Sequence, residues 1–399
     1  MPAHPFLRWV RRLSRARKTP ISRTPLNIEP LEDRVVLDAR FWTGLGDGTN
    51  WTNPANWTGN AVPASVDDVT IDVPGTVTVV LRGSVTVRSL VNRETLHVAG
   101  ATSTGAARLT VTGDVSNAGT VRLETTSFDG FDRGSYLSVG GLFTNDAGAR
   151  VEANVGQGGN RSLTGSLLNR GTVAATGTQS FTIGGAGKTV TLESGSFDAG
   201  ASGQLFIDQS RFAFTGGSTT GVVRALNSTL AVGAGVTTAS TVRAIGASGV
   251  LENNASPAVT VWVEGTTTWG RAVLTTAANA TNAGTIRLET TSSDGFDRGS
   301  YLSANAGGFV NLAGGTVVTN VGTGDARSVS GNLINRGRIT TNASTSLRIN
   351  GSFTADGGVI DGSGPTYLVS TTLSVTAPAS SPTTLRTVGS TTLTTDNLA

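Results

Sequence analysis

An internal duplication constrains this sequence more than any other feature. Residues 117–138 read NAGTVRLETTSFDGFDRGSYLS, and residues 282–303 repeat them with two substitutions at an offset of 165 positions. The similarity continues, after a one-residue slip, from 145–156 to 311–322 and from 166–185 to 332–351. A repeat of this kind indicates structural units that stack and bury their apolar faces against one another.

A shorter period lies inside the duplicated unit. Asn-x-Gly turns, or looser Asn-x-x-Gly versions, open strand-like segments at Asn117, Asn145, Asn169, Asn282, Asn311 and Asn335. Within each of the two groups of three, successive turns lie 28 and 24 or 29 and 24 residues apart, which is about the length of one coil of a parallel β-helix. Because coils stack about 4.8 Å apart, asparagines at equivalent corners can form hydrogen-bonded ladders, and glycine permits the sharp bend beside them.

Composition and alternation favour strands over helices. The 399 residues include 53 glycines, only 14% are charged and 6% are aromatic. In the segment 120–124, Val121 and Leu123 alternate with polar residues, and no segment sustains a 3.6-residue period. We therefore predict an all-β fold, a right-handed parallel β-helix (β-solenoid). An array of two β-sandwich domains is the rival, although it requires closely spaced hairpin turns.

Several functions are disfavoured by the residue inventory. There is no cysteine, and the two histidines lie 93 positions apart, so we predict no catalytic residues, no metal site and no cofactor. Residues 1–40 carry a net charge of +5, which leaves about −2 for the remainder of a chain whose total is +3. Without a clustered positive field we expect no nucleic-acid partner. The sequence lacks the run of about 20 apolar residues that a transmembrane segment needs.

Residues 1–40 form a basic leader, which we expect to be helical or partly disordered. Its end, Leu31-Glu32-Asp33-Arg34-Val35-Val36-Leu37, resembles the LEPR-XLL motif of a bacterial family of large, repeat-rich surface or exported proteins. Asp33 stands where the motif has proline, and Val36 replaces the first of its paired leucines. The resemblance implies a sorting motif formed by Leu31, Glu32, Asp33, Arg34 and Leu37, read by export machinery, and an extracellular or cell-surface location.

A tryptophan-rich segment, residues 41–72, follows the leader. Trp42, Trp51 and Trp57 lie within sixteen residues, in a stretch similar to the opening of autotransporter-like and adhesin-like β-solenoid passengers. We interpret it as an N-terminal cap that closes the first coil against association through an unpaired edge. The alternative is a sugar-binding platform that uses Trp51 and Trp57.

The remaining residues, 73–399, are assigned to the β-solenoid, with duplicated units at 105–269 and, incompletely, at 270–399. Each unit contains a loop of sequence Asp-Gly-Phe-Asp-Arg-Gly, residues 129–134 and 294–299. We favour a structured turn with a salt bridge over a calcium site, because the loop offers too few oxygen ligands. A lone strand histidine, His97, is interpreted as structural.

These observations predict a non-enzymatic, extracellular or cell-surface structural or adhesin-like protein. Its expected partners are cell-envelope components or extracellular glycans and proteins. A carbohydrate-binding or carbohydrate-active β-helix, related to polysaccharide lyases or hydrolases, is the alternative. Because residues 390–399 are strand-like and no capping segment follows them, we also expect the chain to be part of something longer.

Overall fold

Short strands joined by glycine- and asparagine-rich turns build this fold. The computed structural model describes residues 38–125, 133–154, 159–176, 180–291, 296, 298–305, 307–320, 326–342, 345–377, 385–389 and 392–395. Strands make up 60% of the structure, and the described residues contain no α-helix. All of them belong to one compact unit, residues 37–399. The basic leader lies outside the described residues.

The strands are numbered in chain order. The first twelve are β1 (Ala39–Phe41), β2 (Asp68–Ile71), β3 (Thr78–Leu81), β4 (Ser84–Val87), β5 (Ser89–Asn92), β6 (Thr95–Gly100), β7 (Ala107–Val111), β8 (Val115–Asn117), β9 (Thr120–Thr125), β10 (Ser135–Asn145), β11 (Arg150–Ala153) and β12 (Arg161–Asn169). Between β1 and β2 lie two single-turn 3₁₀ helices, Pro54–Asn56 and Thr58–Asn60.

The central strands are β13 (Thr172–Ala175), β14 (Ser180–Gly184), β15 (Thr189–Leu192), β16 (Ser196–Asp198), β17 (Gln204–Asp208), β18 (Arg211–Phe214), β19 (Ser218–Thr220), β20 (Val222–Leu226), β21 (Thr229–Val232), β22 (Ser240–Ile245), β23 (Gly249–Asn254), β24 (Val259–Gly265) and β25 (Ala272–Thr276). The last strands are β26 (Ala280–Asn282), β27 (Thr285–Thr290), β28 (Ser300–Ser303), β29 (Phe309–Asn311), β30 (Thr316–Thr319), β31 (Arg327–Asn335), β32 (Arg338–Thr341), β33 (Leu347–Asp356), β34 (Val359–Asp361), β35 (Thr366–Ala377), β36 (Leu385–Val388) and β37 (Thr392–Thr395).

The strands coil into a β-solenoid of about 12 turns. In a typical turn, β8, β9 and the first half of β10 follow one another around the axis. Each of them pairs in parallel with a strand of the previous turn and a strand of the next. The predicted parallel β-helix is therefore confirmed, and the β-sandwich alternative is wrong.

The cross-section changes near the middle of the stack. One sheet contains only β3, β6, β9, β11, β13, β16 and β19 and ends there, whereas the other described strands join a single thirty-stranded sheet. In the turn that begins with β21, the strand β22 pairs with β20 on one side and with β24 on the other. This turn, and the turn of β23 and β24 that follows it, therefore use two strands, whereas the preceding turn of β18, β19 and β20 uses three.

The interior is one continuous apolar cluster. On β9, Val121 and Leu123 are fully buried while Thr120, Arg122 and Glu124 alternate with them on the outer face, as the alternation predicted. The largest fully buried apolar side chains are Trp51, Trp57, Phe143, Phe181, Phe197, Phe212, Phe214, Phe309 and Phe353. Burying a side chain of this size contributes about 1.5–3 kcal/mol relative to leaving it exposed.

Two asparagine ladders line one corner of the coil. Within each ladder, the Nδ2 of every asparagine except the last donates to the Oδ1 of the asparagine one turn later, over 2.7–2.9 Å. The ladders are Asn92–Asn117–Asn145–Asn169 and Asn254–Asn282–Asn311–Asn335. All eight side chains are buried, and most also donate to backbone carbonyls at the bend. The predicted corner ladder is thus confirmed, and each one begins a turn earlier than expected.

The central turns interrupt the ladder. Through the strand register, Asn169 pairs with Leu192, Leu192 with Phe214, Phe214 with Val232 and Val232 with Asn254. All three apolar substitutes are buried. The same corner is therefore held by hydrogen bonds in both duplicated regions and by apolar packing between them.

Candidate functional site

Two of the predicted features lie partly or wholly outside the described residues. These are the sorting motif, Leu31 to Leu37, and most of each Asp-Gly-Phe-Asp loop, residues 129–132, 294, 295 and 297. The described parts of the loops are Arg133, Gly134, Phe296, Arg298 and Gly299. The predicted salt bridge and its calcium alternative therefore stay predictions.

The three cap tryptophans pack against one another beneath the first turn. Trp57 contacts Trp42 and Trp51 edge to face, with ring centroids 4.9 Å apart in both pairs. The Trp57 Nε1–H donates to the carbonyl of Trp51 at 2.7 Å. Trp42, Trp51 and Trp57 are all at most 2% exposed. This burial fits a lid, and it leaves Trp51 and Trp57 no open face on which a sugar could stack.

The chain between Trp42 and Trp57 forms a polar loop held by hydrogen bonds. The Asp47 carboxylate accepts from the backbone N–H groups of Thr49 and Asn50 and from the side-chain amides of Asn50 and Asn56. These bonds hold the pKa of Asp47 far below its ordinary value. Strand β1 pairs with β2 and begins at Ala39, so the sheet starts two residues before the predicted boundary of the cap.

The ends of the duplicated loops lie against the coil at equivalent glycines. A β-carbon at Gly100 would lie 1.8 Å from the carbonyl oxygen of Arg133, and one at Gly265 would lie 1.7 Å from that of Arg298. Each glycine is followed by a short antiparallel hairpin, residues 101–105 and 266–270. Both copies therefore need glycine here because the loop backbone occupies the space of a side chain.

His97 lies on the outer face of β6. Its Nε2 is 3.6 Å from a carboxylate oxygen of Glu124, and the side chain is mostly buried. Burial lowers the pKa of His97, although the Glu124 carboxylate opposes this, and Arg122 and Arg82 add to the lowering. His97 is therefore held toward its neutral form beside a carboxylate.

A column of arginines and a tryptophan occupies the outer face of β20, β22, β24 and β27. The register aligns Arg224, Arg243, Trp262 and Arg287 on successive turns. The guanidinium carbons of Arg243 and Arg287 both lie 4.1 Å from the centroid of Trp262. Trp262 is thereby enclosed between two cations, an arrangement that stabilises by about 0.5–2 kcal/mol per contact.

A buried carboxylate anchors this column. Glu264 is 2% exposed, and its oxygens lie 2.9 Å from Arg243 Nη1 and 3.8 Å from Arg224 Nε. Burial lowers the pKa of Arg224, and Glu264 opposes that effect. The two arginines offset the cost of burying the Glu264 charge, so this carboxylate is committed to holding adjacent turns together.

A small apolar cluster lies outside the main core beside the column. Phe206, Leu226 and Ile245 form it on three successive turns and are at most 9% exposed. Trp269, from the hairpin 266–270, reaches Phe206 with a centroid distance of 5.9 Å and stays 41% exposed. An aromatic side chain from a later turn thus lies over an apolar strip.

Trp269 and this strip border an open groove of about 240 Å³, lined by Ser180, Thr182, Phe206, Asp208, Leu226 and Trp269. Burial raises the pKa of Asp208. Its Oδ1 accepts no hydrogen bond from the described residues, and its Oδ2 has only a long contact, 3.5 Å, from Gln209. The groove therefore combines aromatic surface, two hydroxyl groups and an incompletely paired carboxylate.

The described part of the chain contains no group of three or more His, Asp or Glu side chains placed to share a metal ion. No helix there has the length and apolarity needed to cross a membrane. Comparison with protein-family models, with curated proteins and with solved structures found no match to this chain.

The groove residues were not predicted from the sequence, although comparing the two copies distinguishes Trp269 in the groove and Trp262 near it. At the 165-residue offset, Trp262 replaces His97 and Trp269 replaces Thr104. Two tryptophans gained on the outer face of an otherwise preserved coil point to a changed surface. Phe206 and Asp208 carried no such signal, because they lie outside the well-matched parts of the repeat.

Proposed function

We propose that this protein is a non-enzymatic structural or adhesin-like β-solenoid at the cell surface or outside the cell. The observation that carries the proposal is the stack itself. The described strands from Ala39 to Thr395 form one run of parallel turns, with a continuous apolar core from the cap to Leu368. Such a stack presents repeated outer faces, the kind of surface that solenoid proteins use for extended binding.

The use of charged groups supports this proposal. Carboxylates pair with arginines across neighbouring turns, as in Arg122–Glu152 at 3.0 Å, Arg243–Glu264 at 2.9 Å and Arg336–Asp356 at 2.7 Å. A glycosidase needs two carboxylates free to act as acid and base or nucleophile. The paired carboxylates serve cohesion between turns, which favours a structural role.

The proposed location rests on the resemblance of the leader to the LEPR-XLL motif, and export machinery would read that segment. Cell-envelope components and extracellular glycans or proteins are the partners we propose. The test is protease treatment of intact cells that produce the full chain, with a cytoplasmic protein as the internal control. We expect the chain to be degraded while the control survives.

Variants of the motif sharpen this test. Glu32→Ala and Arg34→Ala should reduce the protease-accessible fraction at least severalfold, whereas Arg23→Ala, outside the motif, should not. If the full chain stays protected in intact cells, the proposed location is wrong. If it is accessible but indifferent to both motif variants, export does not depend on this motif.

A carbohydrate-binding role is the second candidate, and the groove beside Trp269 favours it. Exposed tryptophan next to hydroxyl and carboxylate groups provides both the apolar face and the polar partners that a sugar ring requires. This candidate is compatible with a surface role, since an adhesin-like protein needs a site of attachment.

A further inference from the structure

The groove differs from the rest of the outer face because its aromatic groups come from two distant parts of the chain. Phe206 belongs to β17, and Trp269 belongs to the hairpin that follows β24, yet their ring centroids lie 5.9 Å apart. The planes are tilted by 55°, so the two rings line the groove at different angles. The hairpin backbone is itself fixed, since the Trp269 N–H donates to Thr266 Oγ1 at 3.0 Å and Thr266 and Gly270 exchange backbone hydrogen bonds.

Polar groups line the same groove. Thr182 lies beside Phe206 in the parallel register, and Ser180 lies two residues before Thr182 on β14. Asp208 lies two residues after Phe206 on β17, and its Oδ1 lacks a hydrogen-bond donor among the described residues. Hydroxyl and carboxylate oxygens therefore lie within a few residues of two aromatic rings.

We infer that this groove is a binding site for one neutral hexopyranose ring of an extracellular glycan. The C–H-rich face of the sugar packs on Trp269, and its hydroxyl groups donate to the Asp208 carboxylate and exchange hydrogen bonds with Ser180 and Thr182. The inference deepens the proposed function and rests on it for the source of the glycan. The site itself is defined by the groove alone.

Size and charge favour a small ligand that is neither anionic nor wholly apolar. Ligand pockets usually measure about 300–1,000 Å³, so a groove of about 240 Å³ suits a single ring. An acidic sugar would place its carboxylate near Asp208, where two like charges repel. A purely apolar ligand would leave the Asp208 carboxylate desolvated without a donor, which costs free energy. A neutral polyol ring with one apolar face meets both requirements.

The test uses the purified full chain and saturation-transfer NMR with methyl glycosides of glucose, galactose and mannose, beside methyl glucuronide as the acidic probe. We expect at least one neutral glycoside to bind with a Kd in the millimolar range, as suits a small ligand in an open groove. The glucuronide should bind at least fivefold more weakly than that glycoside.

Two variants locate the site. Trp269→Ala removes the stacking face, and Asp208→Ala removes the acceptor without touching the hairpin; each should weaken binding about tenfold or more. The matched control is Thr104→Ala, at the equivalent hairpin position of the first copy, which should change Kd less than twofold. Circular dichroism checks that each variant stays folded. If Trp269→Ala does not fold, the binding measured for Asp208→Ala tests the site.

The inference is overturned if none of the neutral glycosides shows saturation transfer, or if binding survives both substitutions. Loss of the proposed surface location would not produce either result, because this test needs only the purified chain. Conversely, a chain that is exposed on cells but does not bind these glycosides contradicts the groove assignment and leaves the surface role intact.

Discussion

The turn that contains β6 and the turn that contains β24 are two copies of one coil with different outer faces. Inside, Leu96 and Val98 of the first copy correspond to Val261 and Val263 of the second, and all four are fully buried. Outside, the second copy replaces His97, Ala99 and Thr104 with Trp262, Glu264 and Trp269.

The difference shows which positions the stack constrains. An inward side chain contacts the turns above and below it, so a change of volume is felt by three turns at once. An outward side chain meets only other outer-face side chains and solvent. The outer face can therefore acquire the Arg–Trp–Arg column and the groove without disturbing the coil, and this is where we expect function to reside.

The largest expected effect lies in what the copies share, the asparagine ladder. Asn117→Ala and Asn282→Ala should each destabilise the fold by about 2–4 kcal/mol, because each leaves several buried hydrogen-bonding groups without partners. Asn117 donates to Asn145 and accepts from Asn92, and Asn282 has the same bonds to Asn311 and Asn254. Urea unfolding followed by circular dichroism measures the loss.

Hydrogen exchange then places the loss along the stack. Exchange should quicken in β9 for Asn117→Ala and in β27 for Asn282→Ala, since each turn of a solenoid interacts mainly with its neighbours. Asn160→Ala, at an exposed position, is the matched control. A cost below 1 kcal/mol for either ladder variant would contradict the view that the two copies depend equally on this corner.

The next effect concerns the glycines beneath the duplicated loops. Gly100→Ala and Gly265→Ala should each cost about 1–3 kcal/mol, because the new methyl group overlaps a backbone carbonyl and forces a shift. The expected overlaps are alike, with Arg133 in one copy and Arg298 in the other. Thermal unfolding of the two variants provides the measurement.

Gly233→Ala is the matched control for these variants, since its nearest contact would be an ordinary 3.4 Å. A stable Gly265→Ala beside an unstable Gly100→Ala would mean that the loops are not held in the same way. Equal tolerance at all three glycines would remove the packing argument for both copies.

Much of this architecture could be predicted from the sequence because it recurs. The spacing of Asn117, Asn145 and Asn169 indicated the length of a turn and the corner ladder, and the alternation around Val121 indicated which face is buried. Each feature is local, or repeats at a short period, so the same pattern occurs several times in a single chain.

The groove could not be predicted in that way. Phe206 and Trp269 are 63 residues apart, and they meet because the hairpin that follows β24 reaches a side chain of β17, three turns earlier in the stack. The apolar residues that replace asparagine at the ladder corner, such as Phe214, likewise could not be predicted, because the sequence repeat does not extend over these turns and does not indicate their register. Only the stacked turns place these residues together.

A smaller effect separates the two copies. Trp262→His, which gives the second copy the residue of the first, should destabilise the fold by about 1–2 kcal/mol, because Arg243 and Arg287 lose the ring between them. Urea unfolding measures the change. Trp269→His in the same turn is the control, and it should cost less because Trp269 is 41% exposed. An equal loss of stability in both variants would show that the contacts of Trp262 with the two arginines add no stability.

The smallest effect belongs to His97 and depends on pH. Because burial lowers the pKa of His97 below the 6.5 of an unfolded chain, the unfolded state binds more protons than the folded state once the pH falls to about 6.5. Stability is therefore undiminished above pH 6.5 and declines as the pH falls through that value toward the folded pKa. His97→Gln removes this contribution.

Urea midpoints of the original chain and of His97→Gln, measured at steps between pH 7.5 and 5.5, isolate the difference. The original chain should lose more stability over this interval than the variant, because only the original chain carries the His97 imidazole. The second copy has tryptophan at this position and contributes nothing to the difference. If both midpoints fall in parallel, His97 is as easily protonated in the fold as outside it, and the Glu124 carboxylate 3.6 Å away then balances the burial of the ring.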